Sequence, residues 1–279
     1  MALIDLHIHT TASDGTDAPA VVVEKARDLG LAAIAITDHD TVAGIAPAME
    51  AGARLGVEVV PGIEVSSDYR GNNVHVLGYY IDPESPGLRP VLEWVAAERR
   101  IRNEKMVALL AADGFDISMA DLEAAYPHSV LGRPHVAEWL MRKGYVSSVR
   151  EGFSRYLREG KKYYLPKRRI PLSRAIEVIG QAGGLSVLAH PLQYHYSPKE
   201  VMELLYTADS LGIRGLECWY SEFSPRKREW LARQADRFGL CATGGSDYHG
   251  TRKPQLSIGS GMGDLAVPYE VLENLKKLR

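Results

Sequence analysis

Cysteine is nearly absent. The 279 residues contain two, Cys218 and Cys241, too few for a disulfide framework and suited to a reducing compartment. No apolar run approaches the roughly 18 residues needed to cross a bilayer. No basic-then-apolar leader follows Met1, so a cytoplasmic protein without a membrane partner is expected. Neither sign of charge dominates: 33 Lys and Arg against 35 Asp and Glu leave a net charge of −2, which excludes a polybasic nucleic-acid-coating protein. Low-complexity tracts and internal repeats are missing too. With 46% hydrophobic and 24% charged residues, the chain is of globular type and long enough for one large domain, with or without an insertion.

What is present is alternation. Strand-like runs at 3–9, 33–37, 57–60 and 74–80 enclose helix-like stretches at 18–29 and 42–55, which Gly30 and Gly56 close as C-terminal stops. After Pro171 the rhythm resumes, with helices expected over 172–182, 198–211 and 225–238 and strands over 185–189, 215–219 and 240–243. Repeated strand-then-helix units imply a parallel sheet, and this many imply a barrel rather than a short open sheet.

The middle breaks that pattern. The turn-rich "DPESPG" opens a stretch that reads as helices at 88–112, 118–125, 134–143 and 148–159, and the basic "EGKKYYLPKRR" ends it. Residues 83–170 carry 16 Lys and Arg against 11 Asp and Glu, a net of +5, leaving −7 on the remainder. The expected organisation is therefore an α/β barrel built from 1–82 and 171–279, with a modestly basic helical insertion at 83–170.

Metal-ligating residue types recur where strands end. "LIDLHIHTTASDG" supplies His7, His9 and Asp14; "AIAITDHD" supplies His39; "VVPGIEVSS" supplies Glu64; "NNVHVLGYY" supplies His75. "LSVLAHP" ends at His190, and "CATGGSDYHG" brings Asp247 and His249. In a parallel barrel the carboxyl ends of the strands share one face, so residues far apart in sequence converge there. On a strand, positions i and i+2 point the same way, so His7 and His9 can grip one ion together. Imidazoles interleaved with carboxylates, without thiolates, favour Zn, Mn or Fe. Asp38, Asp40 and Ser67 read as caps and turn formers at helix starts, and His128 as a surface residue.

These motifs carry a resemblance. "DLHIHTTASDGT", "TDHD", "GIEVS", "HVLGYY", "LAHP" and "GSDYHG" resemble the successive motifs of the PHP (polymerase and histidinol phosphatase) superfamily, across about 1–80 and 171–260. The resemblance implies a distorted seven-stranded α/β barrel with two or three divalent ions that hydrolyses phosphate esters. By the same resemblance, His7, His9, Glu64 and Asp247 hold one ion. Glu64, His75 and His190 hold a second, with Glu64 bridging, and Asp14, His39 and His249 hold a third. The insertion and "LGRPHVAEWLMRKGYV" resemble the nucleotide branch, which removes the 3′-phosphate of nucleoside 3′,5′-bisphosphates and in some members trims short RNA from the 5′ end.

Paired cations lower the pKa of a bridging water enough to supply hydroxide near neutral pH, so no Ser or Cys nucleophile is required. Arg133 offers a fork for a phosphate and His135 lies two residues on, both expected to touch substrate and take part in catalysis. The alternative for the pair is a helix-start arginine beside a capping imidazole, since Pro134 suits a first helical position. Lys161, Lys162, Lys167, Arg168 and Arg169 could extend the positive surface, and His195 is the candidate general acid. Tyr194, Tyr220 and Tyr248 flank apical loops, where they could stack on a base, with pocket wall as the more common role of such aromatics. Three competing readings stand beside the nucleotide phosphoesterase, whose partner is a small phosphate ester or short RNA. One is a histidinol-phosphate phosphatase. Another is an amidohydrolase-type C–N hydrolase, disfavoured because no lysine ends a barrel strand. The third is a noncatalytic nucleic-acid-binding module, which predicts lost ligands.

Overall fold

The computed structural model describes residues 2–194 and 196–279. In chain order it forms β1 (Leu3–Ile8), α1 (Pro19–Asp28), β2 (Ala33–Ile36), α2 (Ile45–Leu55), β3 (Glu58–Tyr69), β4 (Asn72–Tyr79), α3 (Arg89–Ala112), α4 (Met119–Ala125), α5 (Arg133–Arg142) and α6 (Val149–Gly152). There follow β5 (Ile170–Pro171), α7 (Leu172–Gln181), β6 (Leu185–Leu188), α8 (Pro198–Ser210), β7 (Gly215–Tyr220), α9 (Pro225–Phe238), β8 (Cys241–Gly245), β9 (Val267–Pro268) and α10 (Glu270–Lys276). The sheet runs β8-β7-β6-β4-β3-β2-β1-β9, with β5 paired to β3.

Seven of these strands curl into a nearly closed barrel, as expected, and β5 and β9 are two-residue additions. The edges meet where Asp247 donates its N–H to the His7 carbonyl (2.8 Å) and His9 donates to the Tyr248 carbonyl (3.0 Å). Gly245 makes this seam possible: a Cβ there would lie 2.3 Å from the His7 nitrogen.

The all-parallel expectation is corrected. β4 runs antiparallel to both β3 and β6. β3 also extends far beyond 57–60, so Glu64 sits inside a strand and not just past one, in a long hairpin that pairs Glu64 with Leu77 and Ser66 with His75. A short antiparallel connection replaces the helix crossover that parallel pairing would need.

Alternation along the strands sorts the core. Ile4, Leu6, Ala33, Ala35, Leu77, Tyr79, Leu185 and Val187 fill the barrel interior, and Leu272 and Leu275 of α10 plug its base. Ile8, Ile34 and Ile36 face outward to α1 and α2, while Val65, Val76, Leu188 and Leu216 meet the helices of the second half. Register irregularities interrupt β1 between Asp5 and Ile8 and β7 between Glu217 and Trp219. In β1 the shift sends Ile8 outward although Leu6 points inward, which turns His7 and His9 toward the barrel mouth.

Between β4 and β5 lies a helical cap with its own core, including Met106, Leu110, Leu122, Val136, Leu140 and Leu157. Its join to the barrel is shared: α3 packs Val91 and Val95 in the barrel core and Met106 and Leu110 in the cap. The expected final helix over 148–159 appears as α6 followed by a π-helical turn at 153–157.

Candidate metal centre and cationic cleft

All nine expected ligands meet at the barrel mouth. His7 Nε2 and His9 Nε2 lie 3.3 and 3.1 Å from Glu64 Oε2, and 3.5 and 3.2 Å from Asp247 Oδ1. The other Glu64 oxygen, Oε1, is 2.8 Å from His75 Nδ1 and 2.9 Å from His190 Nε2. His249 Nε2 stands 3.3 Å from Asp14 Oδ1, and His9, Asp14, His39 and His249 form one compact group. Glu64 thus turns one oxygen to each of two histidine sets, and His39 Nδ1 lies 3.0 Å from its Oε2.

The donor set fits divalent cations. His7 Nε2, His9 Nε2, His39 Nδ1, Asp14 Oδ1 and Glu64 Oε2 are buried without an aligned hydrogen-bond partner, and such buried atoms call for one. Tautomers point the same way. His7 donates from Nδ1 to Glu217 Oε1 (2.8 Å), and His249 donates from Nδ1 to the Asp247 carbonyl (2.8 Å). Each therefore turns a bare Nε2 lone pair toward carboxylate oxygens, an arrangement that demands positive charge between them.

The electrostatics repeat that demand. Burial raises Asp14, Glu64 and Asp247, but the surrounding imidazoles, with Lys253 beside Asp247, hold all three well below the usual carboxylate range. Burial opposes protonation of His9, yet Asp247 and Glu64 lift it to about 9, and Glu217, Glu64 and Asp247 raise His7 likewise. At His39 burial prevails and pushes the imidazole down despite Glu64 and Asp14. Three non-glycine residues of the rim adopt left-handed backbone: Asp40 (φ 55°), His190 (φ 26°) and Asp247 (φ 55°).

Beside the candidate ligands, a cleft of about 160 Å³ opens between barrel and cap. His39, His75 and Asp14 form its floor; Arg99, Arg102, Arg133, Lys167 and Arg169 line it, with Phe153 and Tyr164 as apolar wall. The Arg133 guanidinium lies 5.1 Å from the Tyr164 ring centre. Asp40 is the cleft's buried counter-ion, accepting from Arg99, from Lys167 (3.1 Å) and from the Ser66 N–H (2.7 Å). Among the described residues Arg102 has no such partner: its Nε is buried and unpaired, and burial with Arg99 and Arg133 nearby lowers its pKa to about 9. This is cationic surface short of anions.

The remaining expectations divide. Arg133, Lys167 and Arg169 reach the cleft; Lys161, Lys162 and Arg168 do not. Lys162 pairs with Asp113, and Arg168 with Glu98 (3.2 Å) over the Trp94 ring. His135 is fully buried behind the cleft. Its Nδ1 accepts the Gly132 N–H (3.0 Å), the capping role that was the alternative for it, and burial lowers its pKa to about 4. His195 lies outside the described residues. Asp38 and Asp40 are not helix caps, because Gly44 is the N-cap of α2; Asp38 instead accepts from the Thr10 N–H (2.7 Å) and Ser13 Oγ (2.5 Å). Tyr220 donates to Asp247 Oδ2 (2.7 Å), and Lys253 to the same oxygen (2.6 Å).

Reading the sequence missed Arg99, Arg102, Lys253 and Glu217. Glu217 had a signal: a carboxylate in the buried strand "GLECWY" needs partners. It finds them in His7 and in the His190 N–H (2.8 Å).

The PHP domain pattern matches residues 5–169. Over 263 residues the chain is 34% identical to a 3′,5′-nucleoside bisphosphate phosphatase of Chromobacterium violaceum, covering 93% of this chain and 91% of the relative. It is 36% identical over 255 residues to the 5′-3′ exoribonuclease Rnm of Escherichia coli, covering 88% and 85%. A solved Bifidobacterium adolescentis protein assigned as a metal-dependent phosphoesterase superposes with a TM-score of 0.87 at 32% identity, covering 98% of this chain and 94% of that one.

Proposed function

The chain belongs to the PHP domain family, and on that footing we propose that it removes the 3′-phosphate from nucleoside 3′,5′-bisphosphates and trims short 5′-phosphorylated oligonucleotides, as a metal-dependent phosphoesterase. The observation that supports a nucleotide substrate is the cationic cleft. A simple monoester needs only the metal rim, whereas five cationic side chains beside it suit a second phosphate on the same molecule.

Two or three divalent ions, Mn, Zn or Fe, would be held by His7, His9, Asp14, His39, Glu64, His75, His190, Asp247 and His249. Bound there, such ions supply Lewis-acid charge for the phosphoryl oxygens and lower the pKa of water. The chain's own residues do the rest. Glu217 and the Asp247 carbonyl fix the tautomers of His7 and His249, so that their Nε2 lone pairs face the mouth. Arg133 and Arg102 bind and orient the second phosphate, while Asp40 keeps Arg99 and Lys167 extended beside it. Phe153 and Tyr164 exclude water from the nucleoside side. In this reading 83–170 is a substrate-capping domain that contributes the discriminating residues, and 1–82 with 171–279 contributes the metal rim.

The test is release of inorganic phosphate with manganese present. The panel holds a nucleoside 3′,5′-bisphosphate, a short 5′-phosphorylated RNA, histidinol phosphate and an aryl phosphate. Arg133→Ala should lower kcat/KM on the bisphosphate by about 10- to 100-fold, the worth of a charge-assisted hydrogen bond, and barely change the aryl phosphate. Equal losses on both would overturn the orienting role, and turnover of histidinol phosphate alone would overturn the substrate.

A further inference from the structure

We propose that the groove between the N-terminal ends of α8 and α9 holds the downstream, 3′-side nucleotides of a single-stranded RNA whose 5′ end occupies the cationic cleft. This inference rests on the nucleotide phosphoesterase reading above and adds a second binding site to it.

The groove has a volume of about 490 Å³ and is walled by Leu192, Tyr196 and Trp230, with Arg226, Lys227 and Arg233 along it. Flat aromatic faces with cations between them are the elements that bind single strands without regard to sequence: bases stack on the rings and phosphates follow the charges. The cations are largely free to do so. Among the described residues Arg226 and Lys227 make no ion pair, while Arg233 pairs with Glu229 (2.6 Å).

Their placement is otherwise unfavourable. Arg226 and Lys227 stand in the first turn of α9, where the helix dipole is positive, and that turn has no acidic residue. Phosphates in the groove would offset the repulsion.

The groove also lies beside the metal rim, on the side away from the cleft: Leu192 of its wall adjoins Gln193, which lines the rim cavity. The cleft takes its walls from the β1–β4 side of the barrel and from the cap, and the groove from the loops after β6 and β7. Between them a cavity lined by His39, His75, His190 and Gln193 crosses the ligand cluster. From His190 the rings of Tyr194 and Tyr196 step outward, at 5.5 and 5.9 Å between centres, and Tyr196 is already the groove wall. A strand with its 5′-phosphate among Arg102 and Arg133 and its first internucleotide phosphate at the ligands would leave along that ladder.

The experiment pairs binding with turnover in the manganese-loaded protein. Anisotropy reports binding of a 3′-labelled, 5′-phosphorylated RNA of about six nucleotides with phosphorothioate linkages, a length matched to an aromatic-lined single-strand site. Phosphate release reports the nucleoside 3′,5′-bisphosphate. Trp230→Ala should weaken RNA binding about tenfold, the worth of one lost stack. Arg226→Glu, at an exposed position that does not threaten folding, should weaken it similarly. It should also reduce the slope of log Kd against log salt by about 0.7 or more. KM and kcat for the bisphosphate should stay within about twofold of wild type in both variants, because neither residue is in the cleft. Unchanged RNA affinity in Arg226→Glu, or a wild type that binds the hexamer no tighter than the mononucleotide, would overturn the groove while leaving the phosphatase reading intact. RNA binding that depends on Trp230 and Arg226 in a protein releasing no phosphate from the bisphosphate would uphold the groove and overturn the phosphatase reading.

Discussion

With a nucleotide as the proposed substrate, Lys167 should make its affinity dependent on pH in a definite direction. Its ammonium reaches the cleft 3.1 Å from Asp40 Oδ2. Burial, with repulsion from Arg99 behind it, pulls its pKa down to about 7, although Asp40 works the other way. The charged form is the one that attracts phosphate, and it is complete below about pH 7 and lost as pH rises through that value. A bound phosphate dianion restores the ammonium, so the complex holds its proton to higher pH than the free protein does. Above about pH 7, KM for the bisphosphate should therefore climb by up to about tenfold per pH unit, with a ceiling of about 100-fold by pH 9. The assay is phosphate release from about pH 6.5 to 9, with kcat extracted separately because ionisation at the metal rim moves it as well. Lys167→Arg carries its charge across this range and should give a flat KM. Lys167→Met should begin high and remain flat. Superimposable wild-type and Lys167→Arg profiles would refute the assignment.

Glu217→Gln should reduce metal affinity by about 10- to 100-fold with the fold unchanged by circular dichroism, since Glu217 orients His7 and His190 and binds no metal itself; equal metal content after dialysis would refute this. Gly245→Ala puts a Cβ 2.3 Å from the His7 nitrogen at the barrel seam and should cost about 1–3 kcal/mol, read as a Tm lower by several degrees. Gly180→Ala, inside α7 with open space around its Cβ, should move Tm the other way by about 0.5–1 kcal/mol of stability, so the pair separates packing at the seam from the general effect of removing glycine.

The barrel was legible because strand-then-helix rhythm, glycine stops and apolar runs are local signals. Seven strands and the helices between them fall close to where periodicity places them. Strand direction is not local. Side-chain alternation reads the same in either sense, so nothing in "NNVHVLGYY" says that β4 runs antiparallel, and the breaker pair Pro61-Gly62, right after the expected strand at 57–60, hid the continuation of β3 to Tyr69. His75 still arrives with the other expected ligands, because an antiparallel strand brings its first half to the rim where parallel strands bring their ends. The same limit separated Arg133 from Arg99 and Arg102. Arg133 stood out beside Pro134 at a helix start, whereas "ERRIRNE" looks like any solvated helix face until the fold lays that face over Asp40. Lys161, Lys162 and Arg168 show the converse: a basic run advertises charge, and only packing decides that Lys167 and Arg169 point inward.

The rim is locally unfavourable, and the division between barrel and cap follows from that. Buried Asp14, Glu64 and Asp247 crowd against imidazoles with unpaired nitrogens, and Asp40, His190 and Asp247 adopt backbone angles that cost on the order of 1–3 kcal/mol each. Such a cluster holds its shape only if the surroundings over-determine it. The barrel does so: its interior is packed from Ile4 to Val187, α10 closes the base, and Asp5 ties β1 to β8 and the 259 turn by accepting from the Ser246 (2.8 Å) and Gly259 (2.7 Å) N–H groups. Selectivity makes the opposite demand, since the groups that meet a substrate must accommodate its entry. In the proposed function those groups belong mainly to the cap, which meets the barrel through polar links that include the Ser129 hydroxyl donating to the Thr11 carbonyl (2.7 Å), the Val130 N–H to the Ala12 carbonyl (3.0 Å), Arg252 to Glu138 (2.8 Å), and Arg99 and Lys167 to Asp40. Asp40 is therefore the point where the two demands join. It follows metal-type His39 in sequence and holds two cleft cations, so a change of charge at Asp40 should disturb substrate affinity before it disturbs metal content.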